Sequence, residues 1–260
     1  MLSDFHMHST FSDGRNSQEE MVLSALEKGL TRMGFSEHGY APYDGDCCLR
    51  PYHIAKYRRD TAKLREKYAG RIGIYCGIEQ DIFSHSPTDK FDYVIGSVHY
   101  LRCGGKYMSV DHMPEKTELI INSAFGGDAL AFAEEYFATV GTVAEKTGCD
   151  IVGHFDLLTK FNEKQPLIDT SSGRYIAAWH RAVDRIMQRC TVFEINTGAI
   201  SRGWRTSPYP ALDICRYIQS NHGTFILSSD SHSAENIAFE FDRYEKLFRD
   251  EGIEISEFSI

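Results

Sequence analysis

Imidazole and carboxylate groups recur through this sequence in a pattern suited to holding metal ions. His6 and His8, His38, His99, His154 and His232 each fall at or just past the end of a short, β-rich apolar run, and they make up six of the eleven histidines. Glu79 and Asp230 take the same kind of position, and Asp13 follows shortly after the first run. His6 and His8 are one residue apart, so both point to the same side of a strand. Asp230 and His232 repeat that spacing. A lone strand histidine is more often a satisfied core or surface group than a ligand, and a His-x-His pair is common. Nine such groups at successive strand ends are harder to explain blandly. Buried imidazoles and carboxylates without partners are costly, and cations satisfy many of them together. Imidazole with carboxylate and no thiolate suits zinc, iron or manganese. Nine ligands exceed what one tetrahedral ion takes, so two or three divalent ions with a bridging carboxylate are expected. Metals about 3.5–4 Å apart clamp the oxygens of an in-line phosphoryl displacement.

The elements that must position these groups alternate between strand and helix. Strands are predicted over 2–8, 32–37, 72–79, 93–99, 150–154, 191–195 and 224–230. A capping box at Ser17-Gln-Glu-Glu20 opens the first helix and Gly29 closes it. Further helices are expected over 51–68, from Asp128 to about Lys146, 173–189, 208–219 and from Ala234 to about Asp250. Such alternation argues for a parallel sheet. About seven units predict an α/β barrel, closed or nearly so, with a doubly wound open sheet as the alternative. In either case the strand C-termini open on one face, which carries the active site. The stretch 102–127 lacks clear periodicity and reads as an elaborated loop over the barrel mouth.

Bulk properties narrow the function. At 260 residues, the chain 1–260 fits a single domain, because α/β barrels often reach about 200–250 residues. The net charge of −9 argues against long nucleic acids as partners. Seven cysteines, an odd number, form no C-x-x-C pair and read as free thiols of a reducing compartment. Cys76 and Cys190 read as buried thiols, while Cys47 and Cys48 have no evident role. No signal peptide or membrane span is expected, so the reading is cytoplasmic. Nothing in the composition sets an oligomeric state. His53, His85, His112, His180 and His222 fall in predicted helices or loops and carry no required role.

Phe5-His6-Met7-His8-Ser9-Thr10-Phe11-Ser12-Asp13-Gly14 resembles the first motif of the polymerase and histidinol phosphatase (PHP) family. Ser36-Glu37-His38, Gly77-Ile78-Glu79, Gly96-Ser97-Val98-His99, Gly153-His154-Phe155-Asp156 and Ser229-Asp230-Ser231-His232 resemble its later motifs, in order. The resemblance covers nearly the whole chain, and the stretch from Glu194 to Pro210 is similar to the stand-alone histidinol-phosphatase branch. It implies a distorted (β/α)7 barrel with a trinuclear centre. It further implies that His6, His8, Glu79 and Asp230 hold one ion. Glu79, His99 and His154 hold a second, and Asp13, His38 and His232 a third. The implied substrate is L-histidinol phosphate.

On this reading a metal-bridging hydroxide attacks phosphorus in line, and Asp230 or His232 handles the leaving-group proton. Phosphate recognition calls for a guanidinium. Arg202 and Arg205 follow the sixth strand, and Lys160 follows the fifth. Arg202 also matches an arginine of the family's phosphate pocket. Tyr43, Asp44, Asp46 and Glu163 lie on loops suited to the substrate's ammonium and imidazole. Competing readings are another small phosphate ester such as a nucleotide, an amidohydrolase-like metal hydrolase, and a metal-binding regulatory domain without catalysis.

Overall fold

A computed structural model describes residues 2–45 and 47–260. The N-terminal half runs β1 (Ser3–Asp4), α1 (Gln18–Glu27), β2 (Arg32–His38), α2 (Ile54–Lys67), β3 (Gly73–Asp81) and β4 (Tyr93–Ser97). Next come a hairpin of β5 (Tyr100–Cys103) and β6 (Lys106–Ser109), then α3 (Pro114–Phe125), α4 (Ala129–Val140), α5 (Val143–Thr147) and β7 (Ile151–Val152). The chain continues through α6 (Gly173–Ile186), β8 (Val192–Asn196), the single turn α7 (Gly198–Ser201), α8 (Leu212–Ser220), β9 (Thr224–Ser228) and α9 (Phe241–Asp250). No helix among the described residues is long and apolar enough to cross a membrane.

Seven strands form one parallel sheet in the order β1-β2-β3-β4-β7-β8-β9. That is the nearly closed seven-stranded barrel expected from the alternation. The seam between β9 and β1 is thin. A single parallel bridge, Met7 to Ser231, replaces a ladder there, with the His8 N–H donating to Ser231 O at 2.8 Å and the Ser231 N–H to His6 O at 3.2 Å. The Asp4 carboxylate adds to the seam by accepting the Ser229 N–H at 3.1 Å and the Ser229 hydroxyl at 2.5 Å.

Helices cover the barrel through apolar stripes. On α6, Tyr175, Ala178, Trp179, Ala182, Val183 and Ile186 are buried at helical spacing, and Ser172 caps the start. Ser17 and Glu20 make the expected capping box on α1. The barrel floor is aromatic: the Phe5 ring lies 5.7, 5.6 and 5.4 Å from those of Tyr75, Tyr93 and Phe258. Tyr93 spans this interior, and a Cβ on Gly34 or Gly77 would come within 2.3 Å of its ring or hydroxyl. Glycine at those two strand positions is therefore what lets the tyrosine fill the floor.

Several predicted boundaries move. The first strand ends at Asp4 because Phe5 enters the aromatic floor while the adjacent His6 also faces inward, which breaks the alternation. The helix expected over 128–146 is two helices, interrupted at Gly141-Thr142. The last helix starts at Phe241, since Ala238 and Glu240 take positive φ values of 51° and 54°. The stretch 102–127 is not an unstructured loop. It completes the hairpin and forms α3.

Candidate metal centre

The strand pleat assembles the centre. β2, β3 and β4 are in parallel register, with His38 opposite Glu79, Gly77 opposite Tyr93 and Asp81 opposite Ser97. Side chains two apart along β3 therefore share the interior, with Tyr75 and Gly77 at the floor and Glu79 and Asp81 at the top. His6 and His8 arrive from the segment after β1, His154 from just after β7, and Asp230 and His232 from just after β9. His99 lies between β4 and β5, and Asp13 in the turn before α1.

All nine predicted ligands meet at this end of the barrel. Glu79, 1 % exposed, is the hub. Its Oε2 lies 3.3 Å from His6 Nε2, 3.6 Å from His8 Nε2 and 2.8 Å from His38 Nδ1. Its Oε1 accepts from the Ser97 hydroxyl at 2.6 Å and lies 2.9 Å from His154 Nε2 and 3.4 Å from His99 Nε2. The ligand atoms of His8, Asp13, His38 and His232 fall within 4.8 Å of one another, as do those of His6, His8 and Asp230. The same limit holds for His6, Glu79 and His154, and for His38, Glu79 and His99. Asp230 adopts φ 46°, an uncommon conformation for a non-glycine residue, of the kind found at functional sites.

The donor set fits metal ions on its own chemistry. His6 Nε2, both ring nitrogens of His8, His154 Nδ1 and Glu79 Oε2 are buried and lack a hydrogen-bond partner among the described residues. Orphaned groups this densely packed would be costly if nothing filled the space between them. Their electrostatics show the same strain. Burial opposes charge on His6, but Glu194, Glu79 and Asp230 overcome it and hold its pKa well above the ordinary value. Burial, with His38 and His232 nearby, pushes His8 down to about 3. Glu79 and Asp230 stay ionised despite burial: His6, His38 and His99 hold Glu79 well below the carboxylate range, and Arg202 and His6 do so for Asp230. His99 is lifted to about 9, as Glu79 and Asp81 outweigh its burial.

The predicted cations separate. Arg202 stands at the rim of the centre, donating to Asp230 Oδ2 at 2.9 Å and Asp230 O at 3.0 Å, with His232 Nδ1 at 3.3 Å. Lys160 lines an adjoining cavity of about 250 Å³ and donates to Asp111 O and Oδ2 at 2.8 and 3.0 Å. Arg205 lies apart from the cluster. It is buried beneath Tyr209, with its guanidinium used by Thr159 and Ser207, and it borders a different cavity.

Of the loop candidates, Asp44 lines the cavity beside the centre, and the Tyr43 hydroxyl donates to Asp81 at 3.1 Å. Glu163 faces Arg205 at 3.9 Å, away from the cluster. Asp46 falls outside the described residues. Cys47, Cys48 and His112 line the same cavity as Asp44.

Sequence reasoning gave no role to Glu194, Glu37, Asp81 or Asp111. Glu194 accepts from His6 Nδ1 at 2.8 Å and from the His154 N–H at 2.5 Å, fixing the ring that offers Nε2 to the centre. Its signal was a charge between two apolar strand residues, Phe193 and Ile195. Orienting carboxylates of this kind typically change metal affinity 10–100-fold. Glu194→Gln is accordingly expected to weaken metal binding about 10–100-fold in a chelator competition, with unchanged affinity counting against the role.

The fold and this site define a class. The model of the PHP domain family matches residues 4–198, and the chain belongs to that family. Over 96% of this chain and 94% of the relative, it is 28% identical to a Deinococcus radiodurans protein named "Probable histidinol-phosphatase". Two solved structures share the fold. One, from Listeria monocytogenes, has a TM-score of 0.78 at 21% identity, covering 94% of this chain and all of its own. The other is the Lactococcus lactis histidinol phosphate phosphatase complexed with zinc, L-histidinol and phosphate, with a TM-score of 0.75 at 21% identity, covering 99% and 96%.

Proposed function

We propose that the chain hydrolyses L-histidinol phosphate to L-histidinol and phosphate in a metal-dependent reaction, acting as one domain over 1–260. The observation that carries this reading is the ring of imidazoles around the buried Glu79, several of whose buried nitrogens lack a hydrogen-bond partner, with a guanidinium at its rim and a cavity beside it. The histidinol-phosphatase names among its relatives supply the substrate. The ligand sets are those the family resemblance implies: His6, His8, Glu79 and Asp230; Glu79, His99 and His154; Asp13, His38 and His232. Zinc, manganese or iron would suit them.

When bound, divalent ions lower the pKa of water to about 7 and neutralise charge on phosphoryl oxygens. The chain's own residues do the rest. Arg202 offers its fork to the phosphate, and Lys160 adds a point charge from the cavity wall. Asp230 or His232, which both meet Arg202 at this rim, would handle the leaving-group proton. Asp44 and Asp111 line the cavity where the substrate's ammonium would sit. The free thiols support a reducing cytoplasm as the setting.

Metal analysis of the purified protein, followed by turnover of histidinol phosphate against a nucleotide monophosphate and p-nitrophenyl phosphate, tests the reading. Marked preference for histidinol phosphate is expected. Equal turnover of all three would remove the substrate, and no turnover after metal reconstitution would remove the activity. Arg202→Ala is expected to raise KM on the order of 10–100-fold, the loss of charged hydrogen bonds to phosphate. Bound metal should not fall, because removing a cation beside Asp230 leaves that carboxylate a better ligand. Unaltered kinetics would take Arg202 out of the phosphate pocket.

A further inference from the structure

Glu37 is the charged member of the Ser36-Glu37-His38 motif that lies outside the centre. His38 points to the cluster, so the pleat sends its neighbour to the other face of β2, where Glu37 is fully buried. Its partners there are all neutral donors from one turn. The Ser9 N–H donates to both oxygens at 3.1 Å, the Ser9 hydroxyl donates to Oε1 at 2.5 Å, and the Ser12 hydroxyl donates to Oε2. A buried carboxylate without a cation is costly to keep, yet this one gathers both ends of the Ser9–Ser12 turn.

That turn carries Asp13. The turn's backbone folds on itself, with the Ser12 N–H donating to Ser9 O at 3.1 Å and the Gly14 N–H to the same oxygen at 3.0 Å. It also presses on His8: a Cβ at Gly14 would lie 2.3 Å from His8 O. Asp13, one residue past Ser12, is 29 % exposed at the rim and reaches His232 Nε2 at 3.3 Å and His38 Nε2 at 3.6 Å.

We propose that Glu37 is a positioning residue, which clamps the Ser9–Ser12 turn so that Asp13 is held against His38 and His232, and thereby sets the affinity of the ion those three hold. The inference rests on the ligand sets proposed above. The test measures metal stoichiometry and affinity by elemental analysis and chelator competition, together with the melting temperature of the metal-free protein, in Glu37→Ala, Glu37→Gln, Ser12→Ala and Asp13→Asn.

Asp13→Asn is expected to lose about one metal equivalent, and Glu37→Ala to weaken the same ion about 10–100-fold. Glu37→Gln should restore most of the affinity, because its amide oxygen still accepts from Ser9 and its N–H can donate to the Ser12 hydroxyl. Full stoichiometry and affinity in Glu37→Ala, alongside metal loss in Asp13→Asn, would overturn the clamp. So would a lower metal-free melting temperature as the sole change. Full metal retention in Asp13→Asn would overturn the ligand sets themselves, and the clamp with them. If Glu37→Ala does not fold, Ser12→Ala decides: weakened affinity supports the clamp and unchanged affinity refutes it.

Discussion

Glu79→Ala is expected to abolish turnover, lowering kcat/KM by on the order of 10³-fold or more, and to strip metal from the protein. Glu79 faces His6, His8 and His38 through one oxygen and His99 and His154 through the other. Its removal takes away the carboxylate that reaches all five imidazoles and leaves Glu194, Asp230, Asp13 and Asp81, each of which meets only one or two of them. A cation entering between those rings would then lack the negative charge that offsets it at their centre. Glu79→Gln keeps the volume but not the charge, and should lose metal in the same direction by less. Elemental analysis beside steady-state kinetics checks both variants. A Glu79→Ala protein with full metal content and more than a tenth of wild-type activity would contradict the bridging role.

Stripping the metal with a chelator should lower the melting temperature by about 8–16 °C. A ligand present at about 1,000 times its Kd adds about 4 kcal/mol, and each kcal/mol is worth roughly 2–4 °C in a chain of this size. The same titration has a pH sign. His6 and His38 have raised pKa values in the metal-free site despite their burial, because Glu194 and Glu79 favour the charged ring of His6, and Asp13 and Glu79 that of His38. Ligation needs neutral rings, so loading expels protons and affinity falls as pH falls. Calorimetry in buffers of different ionisation enthalpy should detect proton release on metal binding. Retention that is equally tight at roughly pH 8 and pH 6 would contradict the assignment.

The barrel and the gathering of the nine side chains at one end of it were legible because both rest on period and place. Strand alternation predicts the sheet, and the strand ends predict where distant histidines gather. What escaped notice was chemistry without periodicity. Gly104-Gly105, both at positive φ, form the turn of the β5–β6 hairpin. Pro114 at the start of α3 and the left-handed Gly126 after it are ordinary helix punctuation. Those signs stood in the sequence, but the segment's weak apolar pattern hid them. Glu37 and Asp111 could not be read, since their meaning lies in contacts with Ser9, Ser12 and Lys160 that only folding creates. Arg205 was placed by loop position, yet its side chain turns away to Thr159 and Ser207.

The Met7–Ser231 bridge joins β1 and β9 through a single residue pair, and it carries His6 and His8 on one edge and Asp230 and His232 on the other. Ions held by these four side chains would act as rivets across that join, linking parts of the chain far apart in sequence. A cell short of metal would thus accumulate barrels unlatched along one side. Their amides at His8 and Ser231 would exchange with solvent long before those of β2, β3 and β4.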